Sequence, residues 1–154
     1  MERVLGEDGA GPLTTVMASG VFDILHTGHI SYLEQARSYG DRLVVVVACD
    51  NTVRRRKHEP ITPDTMRARV VGALKVVDEV IIGKDGDMLD TVESVKPDII
   101  VLGYDQSFDV AELSERLERR GLGHIKVIRA NECADDLNAT RRIVERIRKM
   151  GDLQ

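Results

Sequence analysis

The run LVVVVAC at 43–49 constrains the fold of this chain more than any other stretch. Its four valines, stiff at χ1, favour extended backbone. No polar residue alternates with them, so both faces of the strand must be covered, as happens in a parallel sheet flanked by helices. DIIVL at 98–102 and the shorter TVMAS at 15–19 ask for the same surroundings. Helical spacing fills the gaps. Ile30, Leu33 and Ala36 share a stripe over 29–39, and Met66, Val70, Val71 and Leu74 share one over 64–77, with Thr62 or Asp64 as its cap. A strand at 79–82 and a short helix at 88–95 follow. Next come a helix at 109–120 with Val110, Leu113 and Leu117 inward, a strand at 125–128, and a closing helix at 139–150 carrying Ile143, Val144 and Ile147 on one side. The basic stretch NTVRRRKHEPITP, bounded by prolines, reads as a loop. This alternation predicts α/β: a Rossmann-like, doubly wound parallel sheet with helices on both faces.

A chain of 154 residues is expected to form one domain. The apolar pattern places it at 15–150, after a glycine-rich, acidic leader at 1–14 that reads as disordered and before a short tail at 151–154. A net charge of −4 and 3% aromatic residues speak against a nucleic-acid partner. No apolar run approaches the roughly 20 residues that span a bilayer, so no membrane role is expected. Two cysteines, Cys49 and Cys133, make no disulfide framework and point to the reducing cytoplasm. Cys49 reads as a packed small side chain, and Cys133 as a free loop thiol.

Sheets of this kind bind ligands at the carboxyl ends of their strands, where strand order reverses. Polar features gather there after three strands: Gly20–Asp23, Asp50–Lys57 and Gly103–Asp105. The first continues into GVFDILHTGH. Its HTGH segment lies where a loop enters a helix, so free backbone N–H groups and the helix dipole favour an anion. His26 and His29, three apart, can set both imidazoles beside one phosphate, and Gly28 lets backbone approach without a Cβ. The same ten residues also suit a plain strand-to-helix turn anchored by Val21, Phe22, Ile24 and Leu25. His58 and His124 have no partner at metal-ligand spacing and read as ordinary loop histidines. Asp23 either orients a histidine or caps the turn.

In its surroundings, GVFDILHTGH resembles the nucleotidyltransferase superfamily with the H-x-G-H motif. VVDEVI at 76–81, Arg67 and KPDIIVLGYDQ at 96–106 resemble its cytidylyltransferase-like branch, which includes glycerol-3-phosphate cytidylyltransferase. The likeness covers about residues 16–148. Within the branch, GVFDILHTGH, GDRLVVVVACD and VLGYDQSFD are most similar to archaeal FAD synthases, which move AMP from ATP onto FMN. The resemblance implies the nucleotidylyl transferase fold, a homodimer and a set of roles. His26 and His29 would stabilise charge on the α-phosphorus, and Val21 and Phe22 would present backbone to the nucleotide. Asp105 would meet ribose or base, and Arg67 would assist phosphate binding. One of Arg54, Arg55, Arg56 and Lys57 would hold the acceptor's phosphate. Mg²⁺ would bridge the triphosphate oxygens. The family's second motif departs here to LNATRRI at 137–143, where Asn138 and Thr140 would still cap a helix and reach a phosphate, with Arg129 preceding them. Two alternatives stand beside FMN adenylylation: a cytidylyltransferase using CTP and a small phosphorylated alcohol such as glycerol 3-phosphate, and a non-catalytic nucleotide-binding module.

Overall fold

The computed structural model describes residues 12–152. Residues 1–11 of the expected leader and 153–154 of the expected tail lie outside them. Along the chain run β1 (Thr15–Gly20), α1 (Thr27–Ser38), β2 (Arg42–Val47), α2 (Asp50–Arg56), α3 (Asp64–Gly72) and β3 (Glu79–Ile82). Then follow α4 (Met88–Val95), β4 (Ile99–Leu102), α5 (Val110–Arg119), β5 (Lys126–Arg129) and α6 (Thr140–Gly151). The strands form one sheet, all pairs parallel, in the order β3-β2-β1-β4-β5. The α/β expectation holds.

The period of two along each strand divides the core. Val16 and Ala18 of β1, Leu43, Val45 and Val47 of β2, and Val101 of β4 face Leu33 and Ala36 of α1 and Val71 of α3. Their neighbours Met17, Val46, Ile100 and Leu102 face Leu89 and Val92 of α4 and Leu113 and Leu117 of α5. Each such buried side chain contributes about 1.5–3 kcal/mol of transfer free energy. The valine run is therefore read by two helical layers at once.

Aspartates fasten the amino edge of the sheet. Asp41, Asp78 and Asp98 each stand just before a strand and accept a backbone N–H from its neighbour: Thr14 N at 2.9 Å, Leu43 N at 2.7 Å and Thr15 N at 2.9 Å. Thr14, at the end of the expected leader, is thus tied to the sheet, and its carbonyl also accepts from Asp41 N and Arg42 N. The opposite edge is left for loops. Strand order reverses between β1 and β4, so the ligand crevice of such a sheet lies at their carboxyl ends.

Three local expectations need correction. The basic stretch at 51–63 is helical in its first half. α2 forms because buried Val53 anchors it, Asp50 sits in its first turn and three arginines lie in its last, complementing the dipole. α3 stops at Gly72 rather than at 77, and Leu74, Val76 and Val77 reach the core from the turn that follows. Its cap position is Pro63, while Thr62 and Asp64 bond elsewhere. In α6, Ile143 and Val144 are half-buried, and Ile147 is 59% exposed.

Candidate active site

The carboxyl end of β1 leads through Val21–Leu25 into α1, and His26 is that helix's N-cap. Two imidazoles do the work that a serine and a glutamate usually share. The His29 backbone N–H donates to His26 Nδ1 at 3.4 Å, and the His26 backbone N–H donates to His29 Nδ1 at 3.3 Å. Because each Nδ1 is an acceptor, each ring is neutral and carries its proton on Nε2. Both Nε2–H groups are left to donate to a ligand. The rings stack with centroids 3.7 Å apart and planes 23° apart. Burial pushes His29 down to about 3, helped by His26 and Lys57. Burial also lowers His26, against a smaller opposing pull from Asp105. An anion at this helix end meets uncharged donors and free amides.

Two glycines make the arrangement fit. A Cβ on Gly28 would collide with the backbone carbonyl of Asn138 and come 2.8 Å from His26 Cε1. The close approach it permits is to the chain's own closing loop. A Cβ on Gly20 would lie 2.9 Å from Cε2 and Cζ of Phe22. Phe22 itself is buried at 3% exposure, has φ 54° and places its ring 5.1 Å from His29.

The amino end of α6 reaches the same place by long-range bonds. Thr140 Oγ1 donates to Ile24 O at 3.4 Å. Asn138 is buried, its amide donating to Cys133 O at 2.7 Å while its Oδ1 accepts from Arg142. Both side chains, expected to reach a phosphate, are committed to holding the loop. The N-cap is Ala139, whose methyl accepts nothing, so the first amides of α6 are left to a ligand. Gln35 of α1 clamps the same loop, exchanging bonds with Asn131 N and O.

Between β4 and α5, Asp105 is exposed beside His26, whose titration feels its charge. Arg129, expected ahead of the second motif, is turned toward this loop instead. It donates to Gly103 O at 2.9 Å, Gln106 O at 2.8 Å and Phe108 O. Gln106, which the sequence did not single out, fixes the loop to β1 by donating to Ser19 O at 2.7 Å and accepting from Gly103 N. Its only signal was its place next to Asp105.

The four basic residues of α2 and its cap separate into two pairs. Arg54 is held by Glu59 at 2.9 Å, and Arg55 by Asp85. Arg56 lies over the Phe108 ring, 5.8 Å from its centroid, and Lys57 is near enough to depress His29. Of the four, Lys57 is the one whose charge acts on His29.

Arg67 has no exposed side-chain surface. Its Nε donates to Thr62 O, one Nη to Val21 O and Ala48 O, and the other to Asp50 Oδ1 at 2.7 Å. Expected at a phosphate, it instead ties the loops after β1 and β2 to the start of α3. Asp50 and Asp64 complete the knot, each carboxylate accepting the other's backbone N–H at 3.0 Å. Asp23 accepts from Ile61 N, Thr62 N and Thr62 Oγ1, and these bonds lower its carboxyl below the usual range against the cost of burial. His58 and His124 are exposed, both cysteines are free, and no three His, Cys, Asp or Glu converge on a cation site among the described residues.

The sequence profile of the cytidylyltransferase-like family matches residues 17–152. The chain is 52% identical over 136 residues to an FAD synthase of Aciduliprofundum boonei, which covers 88% of this chain and 91% of that one. It is 50% identical over 142 residues to an FAD synthase of Methanothermobacter thermautotrophicus, with 90% and 93% covered. Among solved structures it is similar to the lipopolysaccharide core biosynthesis protein of Thermoplasma volcanium. That match has a TM-score of 0.77 and 50% identity, covering 79% of this chain and 98% of that one.

Proposed function

Because the chain belongs to the cytidylyltransferase-like family, we propose that it makes FAD, moving AMP from ATP onto the phosphate of FMN and releasing pyrophosphate. The observation that carries this reading is identity of about half the residues to FAD synthases across nearly the whole chain. A phosphate oxygen of FMN attacks the α-phosphorus of ATP, and the bond from that phosphorus to the bridging oxygen breaks as pyrophosphate leaves. Such a step asks for positioning and charge stabilisation rather than a covalent nucleophile. The neutral Nε2–H groups of His26 and His29 donate to oxygens of the reacting phosphate. The amides of Val21 and Phe22 and the amino ends of α1 and α6 take the remaining triphosphate charge. Lys57 and Arg56 draw in the FMN phosphate, and Asp105 meets the ribose.

Charge neutralisation on the triphosphate would come from a divalent cation such as Mg²⁺. Asp23, within the motif, has its carboxylate engaged by the 61–62 loop, so it would not be among the groups that hold the ion. Arg67 and Arg129 act as positioning residues, shaping the loops that line the crevice. We also assign the reaction to the reducing cytoplasm, in keeping with two free cysteines and with no helix long and apolar enough to cross a membrane among the described residues.

The test is incubation of the protein with Mg²⁺ and α-labelled ATP or CTP against FMN or glycerol 3-phosphate. Labelled FAD from ATP and FMN is expected. Product from CTP and glycerol 3-phosphate, with none from ATP and FMN, would overturn the assignment.

A further inference from the structure

We propose that Phe22 is a positioning residue for His29, its left-handed backbone folding the ring over Gly20 and holding it against the imidazole. Its role in turnover rests on nucleotidyl transfer at the histidine pair; its role in fixing the ring does not.

Three observations carry this. First, a bulky residue at φ 54° is an outlier that persists only where its surroundings impose it, and such residues cluster at working sites. Gly is the residue that adopts this conformation freely, yet the chain keeps a phenylalanine there. Second, the ring is almost wholly buried and lies 5.1 Å from the His29 centroid, tilted 57° to it, a contact that favours one orientation of the imidazole. Third, Phe22 packs into the buried core on one side and borders a cavity on another. The cavity, of about 140 Å³, is lined by Phe22, Leu25, Thr62, Met66, Arg67 and Val70 among others. The backbone turn and that core packing keep the ring at His29, with Gly20 as its floor.

The consequence falls on His29, which has two other orienting contacts: the stacked His26 ring and the bond from the His26 amide. Those two fix the imidazole along its stack. The Phe22 ring adds a third contact, tilted to the imidazole plane. A donor displaced by about 1 Å at a phosphorus in transfer costs on the order of a hundredfold in rate.

Four variants test the role: Phe22→Leu, Phe22→Tyr, Gly20→Ala and, should the leucine variant fail to fold by circular dichroism, Phe22→Met. The readouts are kcat and KM for ATP, and the His29 imidazole followed by ¹⁵N NMR against pH. Phe22→Leu is expected to lower kcat about ten- to a hundredfold, leave KM for ATP near wild type, and move His29 from about 3 toward its ordinary value near 6.5. Lys57 and His26, the charged or titrating groups that act on it, are untouched. Phe22→Tyr keeps the ring and should leave the His29 titration unmoved, in contrast to Phe22→Leu. Gly20→Ala pushes the ring toward the cavity and should reproduce the leucine effect with Phe22 intact. A folded Phe22→Leu with unchanged kcat and an unmoved His29 titration overturns the proposal, as does a Gly20→Ala variant indistinguishable from wild type. If the wild-type protein forms no FAD, the functional reading falls, and the NMR arm alone decides what Phe22 does.

Discussion

An imidazole that both caps a helix and faces a phosphate is caught between two demands, and the His26–His29 pair meets them by dividing each ring. Nδ1 serves the fold and Nε2 is free for the ligand. Two measurable consequences follow at this scale. ¹⁵N NMR should find Nε2 protonated and Nδ1 bare on both rings through the neutral range, and an imidazolium signal from His29 above pH 5 would contradict the arrangement. Since the folded value of His29 is about 3 against about 6.5 unfolded, the unfolded chain binds more protons between those limits. Its contribution to stability is therefore full above about pH 6.5 and is lost as pH falls toward about 3, which a series of thermal melts would record. Removing the donor tests its work directly. His29→Ala should cut kcat about 10²–10³-fold while circular dichroism stays unchanged, and a near-normal rate would refute the role. His26, Gly28 and His29 were legible in the sequence because they are contiguous and sit at a strand-to-helix junction. Asn138, Thr140, Arg67 and Arg129 were placed in the right region, but the bonds they make within the chain were not legible. A side chain's direction depends on what else is nearby, and sequence spacing does not encode it.

Among the elements, Arg67 joins the loop after β1, the loop after β2 and the start of α3 through a single guanidinium. Arg67→Met should strand three backbone carbonyls and leave Asp50 facing α3 unpaired, lowering stability by about 3–5 kcal/mol in urea titration. Arg67→Lys should rescue little, because a single ammonium cannot span that planar set of acceptors. The basic helix α2 makes a sharper forecast. Arg54→Ala and Arg55→Ala remove cations already paired with Glu59 and Asp85, so KM for FMN should scarcely change. Lys57→Ala should raise it by about tenfold, the worth of one charge-assisted bond. Equal effects across the run would show that the pairing does not matter. α2 escaped notice in the sequence because a helix of seven residues with one buried side chain has no periodicity to display. The sheet order was legible only as a class: doubly apolar strands announce parallel pairing, but only the folded chain shows β1 between β2 and β4.

At the scale of the whole molecule, apolar side chains remain uncovered. Ile61, Met66 and Val70 around α3, and Ile147 and Met150 on α6, are each more than half exposed. We expect the chain to work as a homodimer that buries part of this surface, and sedimentation equilibrium of Val70→Glu should show a monomer where the wild type is dimeric. A wild-type monomer at micromolar concentration would rule this out. The helical stripe of α6 was plain in the sequence, yet nothing in a stripe says whether its own domain or another copy will cover it. The bond from Thr140 to Ile24, spanning 116 residues, has a further implication. The motif is made first, and the wall against which Gly28 seats, at Asn138, follows only more than a hundred residues later. A nascent chain therefore carries its histidines without a finished crevice. A transcript broken before the codons for 138–140 would yield a protein with the motif intact and the site unformed.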